Sequence, residues 1–92
     1  MITIFYTEEF ERRYSELPLH IQKKAERRET LFRANPFHTS LDTEKLHPKA
    51  KEVWSFRIDE NYRVLFRFKD TTTIYFLTVG PHHWIYRYMD RI

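Results

Sequence analysis

The N-terminal part of the chain carries a strand pattern followed by two helix patterns. Residues 2–6 (ITIFY) are β-branched or aromatic, which favours a short strand. Thr7 can cap a helix whose apolar positions recur every three or four residues as far as about Glu16. A second helix follows Pro18 and ends at Asn35, because a proline comes next. We therefore expect a strand and a two-helix hairpin.

From Val53 onward the pattern changes to an alternation of apolar and polar residues. Three runs, VWSFRI, YRVLFRF and TIYFLTV, are separated by polar turns at residues 59–61 and 70–72. Residues 36–52 show no clear period and are predicted to form a loop, longer than most loops in compact domains. The order β-α-α-β-β-β predicts an α+β domain, in which an N-terminal strand and a two-helix hairpin pack on a mainly antiparallel four-stranded sheet.

The composition predicts one folded domain and excludes several kinds of site. The 92 residues are 41% hydrophobic and 32% charged, which suits one core, so residues 1–92 are predicted to form a single domain. The chain has no cysteine, which excludes disulfides and thiolate chemistry, and no apolar run long enough to span a membrane. Its N-terminus lacks the pattern of a signal peptide. We therefore expect a cytoplasmic protein with no membrane partner.

The pairing of the second and third strands can be tested, because a shift by one residue sends every side chain to the opposite face. A three-residue turn builds one apolar face from three cross-strand pairs: Ile58 with Tyr62, Phe56 with Val64 and Trp54 with Phe66. The same pairing places Arg57 directly opposite Arg63 on the reverse face, with Arg67 at the end of the row. Like charges in that position destabilise a sheet by up to about 1 kcal/mol.

Two interpretations of this arginine row are open. In the first, the guanidinium groups are solvated and pair with nearby carboxylates, for which Asp59, Glu60 or Glu52 are available. In the second, the row is a preformed site for an anion, since guanidinium suits bidentate contact with phosphate. The net charge of +3 does not decide between them. The unfavourable placement of two arginines opposite each other favours the anion site.

The C-terminal segment VGPHHWIYRYMDRI adds candidate chemistry beside that row. Gly80 and Pro81 interrupt the last strand, and two histidines follow at once. Histidine is suited to proton transfer near neutral pH. If a helical turn follows the proline, His82 and Tyr86 lie four residues apart on one face. The remaining histidines show no short ligand spacing, so we expect no metal site and no cofactor.

Two segments resemble a known family. Residues 44–66, EKLHPKAKEVWSFRIDENYRVLF, and the tail VGPHHWIYR are similar to the corresponding regions of the RelE/ParE toxin superfamily, particularly its YoeB-like and YafQ-like mRNA interferases. The predicted element order agrees with a RelE-like fold. The resemblance implies the toxin of a type II toxin-antitoxin system. It also implies an endoribonuclease that cuts mRNA in the aminoacyl site of the ribosome, without a metal, and is held inactive by a cognate antitoxin.

The reaction that the resemblance implies is attack of the ribose 2′-hydroxyl on the adjacent phosphorus. Such a reaction needs a general base, a general acid and positive charge around the phosphate. By resemblance, Arg63 and Arg57 stabilise the developing charge, His82 transfers a proton and Tyr86 orients the substrate. Glu44 takes the place of the general base in YoeB-like members, whereas YafQ-like members use histidines for both proton transfers, so His47 is the competing base.

Further residues are expected to contact the substrate. Trp84 departs from the family pattern, and it can either stack on a base or pack against the helices. The remaining candidates for substrate binding are Arg67, Lys49 and Lys51.

Two other functions are compatible with the same fold. A ParE-like member would poison DNA gyrase without cutting RNA and would need no His82. An inactive RelE-fold binding module would leave cell growth unaffected.

Overall fold

A computed structural model describes residues 2–92 of the chain. Within these residues, five strands and three α-helices follow one another in the order β1, α1, α2, β2, β3, β4, β5, α3, and three short 3₁₀ turns occur at residues 39–41, 49–51 and 82–84. The elements are β1 (Thr3–Tyr6), α1 (Glu8–Ser15), α2 (Leu19–Ala34), β2 (Glu44–Lys45), β3 (Trp54–Arg57), β4 (Tyr62–Phe68), β5 (Thr73–Pro81) and α3 (Ile85–Arg91). Within residues 2–92, no helix has the length and apolar character needed to cross a membrane.

The sheet has the strand order β1-β5-β4-β3-β2. The neighbours among β2, β3, β4 and β5 pair antiparallel, and β1 pairs parallel with β5. The predicted α+β class is therefore confirmed. The strand count differs from the expectation, because Glu44 and Lys45 in the predicted loop add a fifth strand at the edge beside β3. A two-residue strand has too short an alternation to be recognised from sequence.

The two predicted helices begin and end for the expected reasons. The Thr7 side chain accepts a hydrogen bond from the backbone N–H of Phe10 at 3.0 Å, which caps α1. Asn35 ends α2 in an extended conformation, as a residue before proline prefers. The apolar stripe of α2 faces the sheet through three buried residues, Ile21, Ala25 and Phe32.

The main core lies between the two-helix hairpin and one face of the sheet. Phe32 is completely buried there, with ring centroids 5.0 Å from Phe56, 4.9 Å from Phe66 and 5.3 Å from Phe76. The predicted register of β3 and β4 is confirmed at each of its cross-strand pairs, Arg57 with Arg63 included. The apolar face that this register builds is the face that the helices cover.

A second, smaller core lies on the reverse face of the sheet. Val53 and Leu65 are fully buried there against three residues of α3, Ile85, Tyr88 and Met89. The reverse face is therefore partly covered by the chain itself. A helical turn was predicted after Pro81, and in the structure that turn continues into a helix that crosses the sheet.

Candidate active site

Arg57 and Arg63 lie side by side on the part of the reverse face that α3 leaves open. They are cross-strand neighbours on β3 and β4, and Gly80 of β5 occupies the next position across the sheet. Both arginines are half-buried. The row therefore places two positive charges next to a strand position that has no side chain.

Arg57 has one carboxylate partner and one nitrogen without a partner. Its Nη2 donates to Oδ2 of Asp42 at 3.0 Å. Its Nε is buried and has no hydrogen-bond partner among residues 2–92. Asp42 is 63% exposed and has a left-handed backbone with φ of 50°. Because the ion pair is open to water, it contributes at most about 1 kcal/mol and can be displaced.

Arg63 is held by backbone carbonyls of the β3–β4 turn. Its Nη1 donates to the carbonyl of Asp59 at 2.6 Å and to the carbonyl of Tyr62 at 3.1 Å. Burial, and then the charge of Arg57, lower the pKa of Arg63. An arginine nevertheless keeps its proton in a protein. The arrangement therefore holds two charged guanidinium groups together at a cost in energy.

The carboxylates expected to pair with the arginine row form no ion pair with it, although the charge of Asp59 acts on the pKa of Arg63. Asp59 accepts hydrogen bonds from the backbone N–H groups of Asn61 and Tyr62 and lies 3.7 Å from Lys24. Within the described chain, neither Asp59, Glu60 nor Glu52 forms an ion pair with Arg57 or Arg63. Arg57 pairs with the exposed Asp42 instead, so both interpretations of the row stay open.

Glu44 joins the arginines from the edge strand. It pairs with Ser55 of β3, so its side chain lies on the same face as Arg57. Its charge, after those of Asp42 and Asp59, offsets part of the lowering of the Arg63 pKa. Glu44, His47 and Tyr86 line one groove of about 190 Å³ between β2 and α3. The two candidate bases and the candidate orienting aromatic therefore share one groove.

His82 lies at the end of β5, beside the β3–β4 turn. Its backbone N–H donates to the carbonyl of Asn61, and its side chain is exposed in an open cleft of about 470 Å³. Arg63 is hydrogen-bonded to the same turn. The backbone of His82 and the guanidinium of Arg63 are thus hydrogen-bonded to the same short turn.

Arg67 and the two lysines lie elsewhere on the reverse face. Leu65, on which α3 packs, separates Arg67 from Arg63, and four strand residues span about 13 Å. Arg67 donates to the carbonyl of Lys51 at 2.8 Å, and the ammonium of Lys51 donates to the carbonyl of Met89 in α3. Lys49 is exposed on the neighbouring 3₁₀ turn. These three residues are not brought to the arginine pair, and their substrate contacts stay a prediction.

Trp84 is half-buried in contacts with the protein itself. The Arg13 guanidinium lies 4.0 Å from its ring centroid, and the Tyr88 ring centroid lies 5.6 Å away. Its benzo ring lies against Gly80, where an added Cβ would come within 3.0 Å of Cε3. Of the two roles expected for Trp84, these contacts favour packing.

Two features of the site were not predicted from the sequence. Asp42 lies in a segment with no period, so no register could place it beside Arg57. Glu9 and Arg13 are four residues apart on α1, which was a visible signal for a shared helix face, and Glu9 also binds Thr78 of β5 and Arg91 of α3. The face of α1 that carries Glu9 and Arg13 contacts the C-terminal segment, a contact that cannot be predicted without the fold.

Comparison with known proteins gives one family match and several fold matches. The family model described as RelE-like toxin of type II toxin-antitoxin system HigB matches residues 2–82. No curated protein sequence matches the chain.

Among solved structures, the fold of YafQ from Escherichia coli BL21(DE3) matches with a TM-score of 0.75 at 13% identity, over 94% of this chain and 99% of that one. The YoeB/ParE toxin from Agrobacterium tumefaciens matches with a TM-score of 0.72 at 16% identity, over 88% and 99%. The E. coli DinJ-YafQ complex matches with a TM-score of 0.76 at 13% identity, over 94% and 99%. At such identities the likeness concerns the fold.

Proposed function

Because the chain belongs to the family of HigB-like, RelE-like toxins of type II toxin-antitoxin systems, we propose that it is an endoribonuclease that cuts mRNA on the ribosome. The family match and the fold matches confirm the resemblance to RelE-like toxins that residues 44–66 and the tail carry. The toxin class follows from the family. The ribosome-dependent cleavage of RNA is the proposal.

The observation that carries the proposal is the Arg57–Arg63 pair. Arg57 and Arg63 are opposite each other in the sheet, and Nε of Arg57 is buried without a partner among the described residues. A buried donor without a partner costs about 1–3 kcal/mol, and a like-charge pair adds to that cost. A bound phosphodiester would supply the opposite charge that the pair lacks.

The reaction assigns a task to each group around the phosphate. The 2′-oxygen forms a bond to phosphorus and the bond from phosphorus to the 5′-oxygen breaks, which leaves a 2′,3′-cyclic phosphate and a 5′-hydroxyl. Glu44 or His47 takes the proton from the 2′-hydroxyl, and His82 gives a proton to the departing 5′-oxygen. Arg57 and Arg63 stabilise the charge that develops on the other phosphate oxygens. Tyr86, in the groove of Glu44, orients the ribose or base.

A neutralising antitoxin is the partner that we propose. YafQ has been solved in complex with DinJ, and a Staphylococcus aureus toxin as the YoeB-YefM complex. We infer that this chain too is held by a protein antitoxin, and that it acts in the cytoplasm, where ribosomes and mRNA are found.

The test is toe-printing of mRNA on translating ribosomes with purified toxin. Wild-type protein should produce breaks within the aminoacyl-site codon, and His82→Ala or Arg63→Ala should reduce them at least about 100-fold, because each removes a group that acts on the transition state. His20→Ala, which changes an exposed histidine on α2, is the matched control and should cut like wild type.

Two outcomes would contradict the proposal. Intact mRNA together with gyrase-linked DNA breaks would select the ParE-like function. Intact mRNA with normal growth of cells that express the chain alone would select the inactive binding module.

A further inference from the structure

The indole of Trp84 is clamped between helix α1 and the sheet. Arg13 of α1 stacks its guanidinium 4.0 Å from the ring centroid, and cation–π contacts of this kind are strongest with tryptophan. Gly80 of β5 provides the surface beneath the benzo ring. Gly80 is also the residue opposite Arg63. The clamped ring therefore lies on the strand position next to Arg63.

Glu9 attaches the same helix to the other end of the C-terminal segment. Its carboxylate accepts hydrogen bonds from Thr78 at 2.9 Å and from Arg91 at 2.8 and 2.9 Å. It also accepts one from Nε of Arg13 at 3.3 Å. The first contact reaches β5 just before Gly80, and the second reaches the last turn of α3. Helix α1 therefore holds the segment from Thr78 to Arg91 at three places.

His82 lies between two fixed points of that segment. On its N-terminal side, Pro81 is in the ladder opposite Tyr62, and the backbone N–H of His82 is bonded to Asn61. On its C-terminal side, only His83 separates it from the clamped Trp84. A backbone held on both sides at so short a distance leaves His82 little freedom to move relative to Arg63.

We propose that Arg13 and Trp84 are positioning residues, which together fix the turn that carries His82 beside the β3–β4 turn, to which Arg63 is also hydrogen-bonded. The inference rests on the proposed function, in which His82 is the proton donor. In this role Trp84 contacts no substrate. It acts through His82, and Arg13 acts through Trp84.

The first test observes position alone and needs no substrate. Chemical shifts of the Trp84 indole and of the His82 imidazole are measured by NMR in wild type, Arg13→Leu and Gly80→Ala. A Cβ at Gly80 forces the Trp84 ring to move by a few tenths of an ångström. Both variants should shift both signals. Arg12→Leu, the same change one residue earlier on an exposed position of α1, should shift neither.

Two NMR results would overturn the proposal. One is a Trp84 signal that moves while the His82 signal keeps its wild-type value. The other is an Arg12→Leu variant that shifts His82 as much as Arg13→Leu does.

The second test measures single-turnover cleavage of mRNA on programmed ribosomes. Arg13→Leu should lower the rate constant about 10–100-fold, the range that follows from misplacing a catalytic group by up to about 1 Å. The toxin concentration for half-maximal rate should stay the same, and Arg13→Lys should restore part of the rate because it keeps a cation over the ring. A merely structural role would lower the fraction of active molecules and leave the rate constant unchanged, which would overturn the proposal.

The two tests separate failure of the inference from failure of the proposed function. If wild-type toxin does not cut mRNA while the NMR shifts appear as expected, the proposed function is wrong and the clamp on His82 stands. If wild type cuts and Arg13→Leu cuts at the same rate, the clamp is wrong and the function stands.

Discussion

Single residues decide how open the arginine pair is to a ligand. Arg63 is held by neutral carbonyl groups, whereas Arg57 is held by a carboxylate on a solvent-exposed residue. Of these two contacts, only the one between Asp42 and Arg57 places a negative charge on a guanidinium nitrogen, where it would compete with an incoming anion. In the proposed site, a phosphate oxygen that binds Nη2 of Arg57 would displace Asp42.

Asp42→Asn should strengthen binding of RNA to the site. Asparagine tolerates the left-handed backbone of residue 42, so the substitution removes the charge without straining the turn. We expect an apparent affinity several-fold higher at low salt, with the gain shrinking as salt screens the charges. Stability should change by less than about 1 kcal/mol. Binding of a short, non-cleavable RNA, measured at two salt concentrations, checks this, and unchanged affinity at low salt would contradict it.

The two candidate bases can be separated by substituting each alone. Whichever of Glu44→Gln and His47→Ala removes the general base should slow single-turnover cleavage about 100- to 10,000-fold, and the other should have a much smaller effect. Both residues line the same groove and leave the core untouched, so the melting temperature serves as the control. Two small effects would show that neither residue is the base.

At the scale of elements, strand register was predictable and the packing of α3 was not. Each strand of the β3–β4 pair shows a clean alternation, so one turn length fixed which residues face each other, Arg57 and Arg63 among them. The segment from Ile85 to Arg91 is only two helical turns long and offers three apolar contacts. A stretch of that length has no decisive period, and its partners come from the sheet and from α1. The groove that contains Glu44 is formed by α3 and by the two-residue strand β2. From the sequence, only a helical turn was predicted after Pro81, and only a loop at Glu44.

Glu9→Gln should loosen the junction of α1, β5 and α3 in a pH-dependent way. Burial raises the pKa of Glu9, but hydrogen bonds from Thr78 and Arg91, with the charges of Arg91 and Arg13, outweigh it and lower the pKa overall. A group whose pKa is lower in the folded state stabilises the fold above its unfolded pKa, about 4.3. That contribution is lost as the pH falls through the folded value.

The variant should therefore be about 1–2 kcal/mol less stable than wild type at pH 7. The difference should shrink toward the bottom of the acid range, where wild-type Glu9 is also protonated. Urea unfolding at pH 7 and at pH 3 checks this, with Glu8→Gln as an exposed control in the same helical turn. An equal loss of stability at both pH values would contradict the ionic origin.

At the scale of the whole molecule, stability depends on one aromatic cluster around Phe32. That side chain is fully buried between the helix hairpin and the sheet, with three phenylalanine rings about it. Trp54 belongs to the same face but is only half-buried, beside Phe37 and Phe68. Trp54 is the larger side chain, but we expect it to contribute less to stability than Phe32 does.

Phe32→Ala should cost about 3–5 kcal/mol, against a total stability of roughly 5–15 kcal/mol for a small domain. Trp54→Ala should cost clearly less, because part of its surface remains in water in the folded state. Denaturant unfolding followed by circular dichroism compares the two. A greater loss in Trp54→Ala than in Phe32→Ala would contradict this account of the core.

The outer strand β1 comes from the beginning of the chain, but it pairs with β5, from Thr3 with Thr73 to Tyr6 with Phe76. Synthesis proceeds from the N-terminus, and pairings between distant segments form slowly. The sheet therefore closes only after β5 has left the exit tunnel of the ribosome, however early β1 emerges.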